Sequence, residues 1–291
     1  MSQPVRALPA MSVTVSVAIT TQTTTVDGSS VRYSTGGEGP VVLFLHGWGL
    51  GHNAYRRGLR RLAARGYRVV APALPGFGGT AELADDQQSL RDYASWTERF
   101  CDAVGITERV VVVGHSFGGG VSTQFGADFP ESVRAIVLLN SVGGEWFNDG
   151  TTAPMVDRPW WDWARHIPAD VAALVSNFAS TMPSVLEDLV ANVVRNPFGV
   201  AKVGRLARSA DLSGELCVLR RRRLPALVVH SHDDGVIPPS SFRSMCDLLG
   251  QEGRVVAGNH SWPMTHPDLF ADVVAQFIES IAVPSRRRAT Q

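Results

Sequence analysis

A run of β-branched residues ending in a glycine-flanked serine limits what this chain can fold into more than any other feature. Val110 to Val113 is unbroken valine, the composition of a strand buried on both faces, and Gly114-His115-Ser116-Phe117-Gly118 follows directly. Glycine on each side of the serine lets a strand turn into a helix within a few residues. Ser116 is therefore expected on a sharp elbow, its hydroxyl presented above the sheet edge as a nucleophile. The Phe117 N–H, at the start of the following helix, is placed to meet an oxyanion as the serine attacks a carbonyl. With 28 glycines in the chain, the five-residue motif needs support from its surroundings.

That support comes from four stretches in a fixed order: His46-Gly47-Trp48-Gly49, Leu74-Pro75-Gly76-Phe77-Gly78, the elbow, and a late Asp followed by a late His. On these the chain resembles the α/β-hydrolase family through most of residues 31–140 and 225–282. The resemblance implies a mostly parallel sheet flanked by helices, with a helical cap inserted. It also implies a second oxyanion donor, the backbone N–H of the residue after His-Gly, which here is Trp48.

Composition excludes several partners. The 27 basic and 27 acidic residues balance to a net charge of +0, so nothing favours nucleic acid or an anionic membrane, and a small molecule is the expected partner. Cys101, Cys217 and Cys246 are too few and too scattered for a disulfide framework or a zinc site, which fits a reducing, cytoplasmic setting. No run approaches the roughly 20 apolar residues of a membrane span. The first residues lack the continuous apolar stretch of a signal peptide. Oligomeric state is not legible.

The chain divides into a discontinuous core, 12–140 and 225–283, an inserted cap, 141–224, and disordered tails at 1–11 and 284–291. Val13 to Val26 alternates as an exposed edge strand, Asp27-Gly28 turns, and Val31 to Ser34 returns. Val41 to Leu45 is a fully apolar central strand. Helices are expected over Asn53–Arg65, Gln87–Val104, Ser116 to about Asp128, Pro239–Leu249 and Pro267–Ile281, and further strands over Tyr67–Ala71, Ala135–Leu139, Ala226–His230 and Arg254–Ala257. Strand and helix alternate up to residue 140, which implies right-handed crossovers. The alternation then stops in a segment holding four of the seven tryptophans, Trp146, Trp160, Trp161 and Trp163. Arg220 to Arg223 reads as a hydrated hinge surface in preference to an anion site.

A serine hydroxyl needs an imidazole to take its proton, and the imidazole needs a carboxylate to fix its tautomer. The family order of Ser, acid, His places the acid in His230-Ser231-His232-Asp233-Asp234-Gly235-Val236-Ile237-Pro238, where Asp234 fits the usual register and Asp233 is the alternative. Ser231 stands where glycine is common. His260, after the last strand, is the expected base, and His266 is expected to cap or position the closing helix. His230-x-His232-x-Asp234 also resembles a zinc-ligand run, but the His expected after that Asp is replaced by Gly235, so no metal and no cofactor are expected.

These residues imply a serine hydrolase acting on a carboxylic ester of an apolar small molecule through an acyl-enzyme. Ser116, His260 and Asp234 would be catalytic, and Trp48 and Phe117 would supply the oxyanion N–H groups. His46, Gly47, His115, Trp160, Trp161, Trp163 and Trp262 would line the substrate site. A carbon–carbon bond hydrolase, a lactonase, a cofactor-free haloperoxidase-like enzyme and a non-catalytic receptor on the same fold remain alternatives.

Overall fold

The structure, a computed structural model, describes residues 17–144, 188 and 190–282. The edge hairpin consists of β1 (Thr20–Val26) and β2 (Ser29–Gly36), paired antiparallel. Its turn residues, Asp27 and Gly28, have φ of 51° and 75°, the left-handed pair that follows the twist of both strands. The edge strand expected from Val13 starts at Thr20, and residues 13–16 lie outside the described residues, as do both expected tails.

Six further strands complete the sheet: β3 (Val41–Leu45), β4 (Arg68–Pro72), β5 (Val110–His115), β6 (Val133–Leu139), β7 (Ala226–Ser231) and β8 (Arg254–Val256). Their order is β1-β2-β4-β3-β5-β6-β7-β8. β2 joins β4 antiparallel, and every pairing beyond β4 is parallel. From β3 the chain goes to β4 on one side and then crosses to β5 on the other. Connections therefore diverge at the carboxyl ends of β3 and β5, the crevice in which open α/β sheets place their sites.

Both central strands are buried on two faces, as their apolar runs imply. Val41, Leu43, Leu45, Val110 and Val112 join one core with α2 (Leu90–Ala103) and α3 (Phe117–Asp128). Val42, Phe44, Val111 and Val113 join the other with α1 (Arg56–Ala63) and the closing helix. α2 begins at Leu90, later than the expected Gln87, because Ser89 caps it: Ser89 Oγ accepts from Asp92 N at 3.2 Å and Asp92 Oδ2 accepts from Ser89 N at 2.9 Å.

Between β6 and β7 the described residues include α4 (Pro197–Arg208) and α5 (Ser213–Arg221). The chain leaves the core at Gly143 and returns at Asp211: the two form a parallel bridge, and Leu212 N donates to Gly143 O at 3.0 Å. α5 buries Leu216 and Leu219 and packs against α3 and α6 (Pro239–Leu249). The boundary expected at 224 therefore falls earlier, and α5 belongs to the layer covering the sheet. The arginine run Arg220 to Arg223 is exposed, as a hydrated surface would be, and two of its members also bond: Arg222 donates to the carbonyl of Ala127 near the end of α3 and Arg220 to that of Asp247 near the end of α6. Cations at helix carboxyl ends meet orphan carbonyls there.

After β8 come the short α7 (Trp262–Thr265) and α8 (Pro267–Ala282). No helix among the described residues is long and apolar enough to cross a membrane.

The helix after the elbow lies hard against the central strands. A Cβ added at Gly118 would stand 2.2 Å from Leu45 O, and one at Gly114 would stand 2.3 Å from both Gly118 O and Ser122 Oγ. Backbone cannot yield as a side chain can, so Gly118→Ala is expected to cost about 2 kcal/mol or more. A lowered urea midpoint checks this, and an unchanged midpoint would show that α3 is free to move off β3.

Candidate active site

Ser116 has φ 53° and ψ −117°, a conformation that costs a non-glycine residue roughly 1–3 kcal/mol. Hydrogen bonds hold it there. Its N–H donates to Leu139 O at 3.0 Å, and its carbonyl accepts from Gly119 N at 3.0 Å and Val142 N at 3.2 Å. The residue is buried yet not sealed, at 8% exposure.

At the carboxyl ends of β7 and β8 the structure brings Asp234 and His260 together. His260 Nδ1 lies 3.0 Å from Asp234 Oδ2 and 3.2 Å from Oδ1. Burial pushes the Asp234 carboxyl up, but His260 beside it and the N–H groups of Ile237 and Val236 outweigh burial and hold it below the ordinary carboxylate range. An ionised carboxylate only accepts, so Nδ1 of His260 carries a proton and donates it to Asp234. Asp233, the alternative acid, instead pairs with the exposed His232 at 2.7 Å. His230 is buried and stacks on Phe242, with ring centroids 5.2 Å apart. The zinc-like run thus points its members in three directions, and among the described residues no group of three His, Cys, Asp or Glu could hold a metal.

Asp234 is further supported by Asn140, at the end of β6, whose Nδ2 donates to Asp234 Oδ2 and to Ser231 Oγ. Asn140 Oδ1 in turn accepts from Trp262 Nε1 at 3.0 Å, and Ser231 Oγ donates to Asn259 O at 2.8 Å. Trp262 was expected to face substrate. It is instead fully buried, with its one donor committed to Asn140. Ser231, the departure from the usual glycine, ties the loop that carries Asp234 to the loop that carries His260.

The loop after β3 is fixed by His46. Leu74 N donates to His46 Nε2 at 2.9 Å, so Nδ1 carries the proton and donates to Gly47 O at 2.8 Å. This sets the plane of the Gly47–Trp48 peptide, and in a trans peptide the Trp48 N–H points opposite to that carbonyl. Gly47 lies against the elbow: a Cβ there would stand 3.4 Å from Ser116 Cβ. The Phe117 ring is buried edge-on against Tyr93, with centroids 5.1 Å apart. His46 and His115 were expected at the substrate. Each is 1% exposed with both ring nitrogens bonded to protein, so they build the site from behind. Trp160, Trp161 and Trp163 lie outside the described residues.

Sequence reasoning missed the residues of the insertion that grip this loop. Asn192 Nδ2 donates to Gly49 O and Leu50 O at 3.1 and 3.0 Å, and its Oδ1 accepts from Gly78 N at 2.8 Å. Asp188 Oδ2 accepts from Ala54 N at 3.1 Å, and Trp48 Nε1 donates to Val200 O at 2.7 Å. No local pattern announces such partners, because every bond joins residues far apart in the chain.

The model of the alpha/beta hydrolase fold family matches residues 40–185, just over half of the chain. The chain belongs to the α/β-hydrolase fold family. It is 29% identical over 266 residues to a putative non-heme haloperoxidase of Mycobacterium phage D29, covering 86% of this chain and 91% of that protein. It is 26% identical over 271 residues to the 2-hydroxy-6-oxo-6-(2'-aminophenyl)hexa-2,4-dienoic acid hydrolase of Metapseudomonas resinovorans, covering 90% and 92% respectively. Among solved structures, a serine hydrolase involved in carbazole degradation superposes with a TM-score of 0.71 at 23% identity, covering 90% of this chain and all of that one. An esterase from Thermogutta terrifontis gives 0.69 at 19% identity, covering 91% of this chain and 100% of that one. Identities this low carry the fold alone.

Four buried histidines are expected to cost this fold stability in acid. Burial lowers His46 and His52 to about 4 and His115 to about 3, and it also lowers His230, whose ring nitrogens have no partner among the described residues. Below the ordinary imidazole value of about 6.5 the unfolded chain takes up protons that the folded chain refuses. The stability is present in full above pH ~6.5 and is lost as pH falls toward ~4, by up to about 1.4 kcal/mol per pH unit for each histidine. The depressed Asp234 acts in the same sense at lower pH. Urea unfolding at pH 7, 5.5 and 4.5 should show a steep fall, and equal midpoints at pH 7 and 4.5 would contradict it.

Proposed function

We propose that this protein is a serine hydrolase that cleaves a carboxylic ester of a largely apolar small molecule through an acyl-enzyme. The observation that carries the reading is the doubly bonded His260–Asp234 pair, set at the same end of the sheet as the strained elbow. In this reading His260 Nε2 takes the Ser116 proton as Oγ attacks the carbonyl, and Asp234 stabilises the imidazolium that forms. The N–H groups of Trp48 and Phe117 hold the oxyanion. The leaving alkoxide takes the proton from His260, and water then attacks the acyl-enzyme with His260 again as base. The insertion serves as a cap, whose helix α4 meets the Trp48 ring.

Carbon–carbon bond hydrolysis is the second reading, favoured by the near full-length likeness to a dienoic acid hydrolase. Purified protein assayed on p-nitrophenyl esters and on vinylogous diketones of equal bulk separates the two. Ester turnover exceeding diketone turnover is expected, and the reverse order would replace the first reading with the second.

Ser116→Ala should fold and lose activity on the order of 10⁶ in kcat. Asp234→Asn should lose about 10⁴, because the imidazole is left in the wrong tautomer, whereas Asp233→Asn should change kcat little. Steady-state kinetics and labelling of Ser116 by a fluorophosphonate, located by peptide mass spectrometry, check these assignments. Substantial turnover by Ser116→Ala would remove Ser116 as the nucleophile.

The cap and the Trp48 ring suggest an apolar acyl site. Along a series of lengthening p-nitrophenyl esters, kcat/KM should improve by up to ~0.8 kcal/mol for each methylene that reaches it. A flat series, or a preference for charged acyl groups, would rule out that site.

A further inference from the structure

Behind the elbow, a chain of hydrogen bonds joins the loop after β3 to the loop that carries His260. Gly47 N donates to Tyr55 Oη at 3.2 Å, Tyr55 Oη lies 2.7 Å from His115 Nδ1, and His115 Nε2 lies 2.9 Å from His260 O. The proton positions follow from chemistry. A carbonyl oxygen only accepts, so His115 Nε2 carries a proton and donates to His260 O. Nδ1 of the neutral ring then accepts, and Tyr55 Oη must donate to it while accepting from Gly47. Every bond therefore runs in one sense, from Gly47 N–H through Tyr55 to His115. His115 then donates to the base loop from its far side.

Both side chains are held rigidly. Tyr55 and His115 are each 1% exposed, and the Tyr55 ring lies 4.5 Å from that of Phe44. The His115 ring also packs on the His260 ring, with centroids 4.8 Å apart and planes inclined at 44°. His115 thus fixes the height of His260 at its carbonyl and the tilt of its imidazole at its face. His115 is itself the residue before the nucleophile, so a single side chain relates Ser116, His260 and, through Tyr55, the His46–Gly47 peptide of the loop after β3.

We propose that Tyr55 and His115 are positioning residues that hold the base His260 and the oxyanion loop at a fixed separation across Ser116. The proposal rests on the serine-hydrolase reading for its effect on rate, but the proton arrangement stands apart from it. Tyr55→Phe keeps the ring and its packing on Phe44 while removing both bonds of the hydroxyl. Loss of registration between base, nucleophile and oxyanion donors costs rate and spares binding. The expected result is a kcat lower by ~10- to 100-fold with KM changed less than about 3-fold. A role in stability alone would lower the unfolding midpoint and leave both constants as they were.

Two further measurements keep the outcome decisive. In the native protein, ¹⁵N spectra should show His115 as the neutral Nε2-protonated tautomer with Nδ1 hydrogen-bonded, and Tyr55→Phe should remove the Nδ1 signature. His115→Gln can donate to His260 O from its amide nitrogen and accept from Tyr55 with its amide oxygen. It should therefore turn over at least ten times faster than His115→Leu, roughly the full size of a positioning effect. Native kcat and KM in Tyr55→Phe, an Nδ1-protonated His115, or equal kcat in the Gln and Leu variants would each overturn the proposal. If instead Ser116→Ala proves active while His115 shows the Nε2 tautomer, it is the nucleophile assignment that fails.

Discussion

The close approach of α3 to the central strands is the constraint on which the site depends. Gly114 and Gly118 carry no side chain because Leu45 O, Gly118 O and Ser122 Oγ occupy the space that one would need. With the helix that near, the turn from β5 must be made within one residue. That residue, Ser116, takes a backbone conformation that glycine would adopt more cheaply. The strain is sustained by bonds to β6 and to the chain just beyond it, Leu139 O and Val142 N. The elbow is thus a consequence of helix-to-strand distance, and the packed cores on both faces of the sheet enforce that distance.

Around the elbow the site consists of polar groups taken out of water and then almost fully bonded. Asp234 stays ionised in a buried place because His260, Asn140 and two backbone N–H groups surround it. The neighbouring histidines stay neutral for the opposite reason: burial disfavours their cations and their partners use each ring as one donor and one acceptor. The two effects are complementary. Neutral His46 and His115 place no positive charge beside His260.

The insertion contributes to this arrangement as well as lying over it. Asn192 bonds to the loop after β3 and to the loop after β4, and Asp188 meets the N–H of Ala54 at the next turn. Trp48 closes the connection from the other side by donating to α4. A change in the insertion can therefore reach the loop after β3 through hydrogen bonds, a physical link between the insertion and the geometry at Ser116.

The sequence by itself determined the sheet and the elbow, because each depends on local chemistry: valine runs make buried strands and glycines permit the Ser116 turn. The late Asp and His were singled out by their resemblance to the family's order. Helix starts were legible to within a few residues and failed where a side chain such as Ser89 set the cap. Only the tertiary structure decided the rest. Trp262 was expected at substrate and His46 and His115 beside it, yet each side chain is spent on a partner distant in the chain. The supporting residues Asn140, Ser231, Tyr55 and Asn192 carry no motif, since their bonds form only once strands and loops far apart in sequence have been brought to one end of the sheet. Asp233 and Asp234 are adjacent carboxylates of identical chemistry, and only the fold shows that Asp234 meets His260 while Asp233 meets His232.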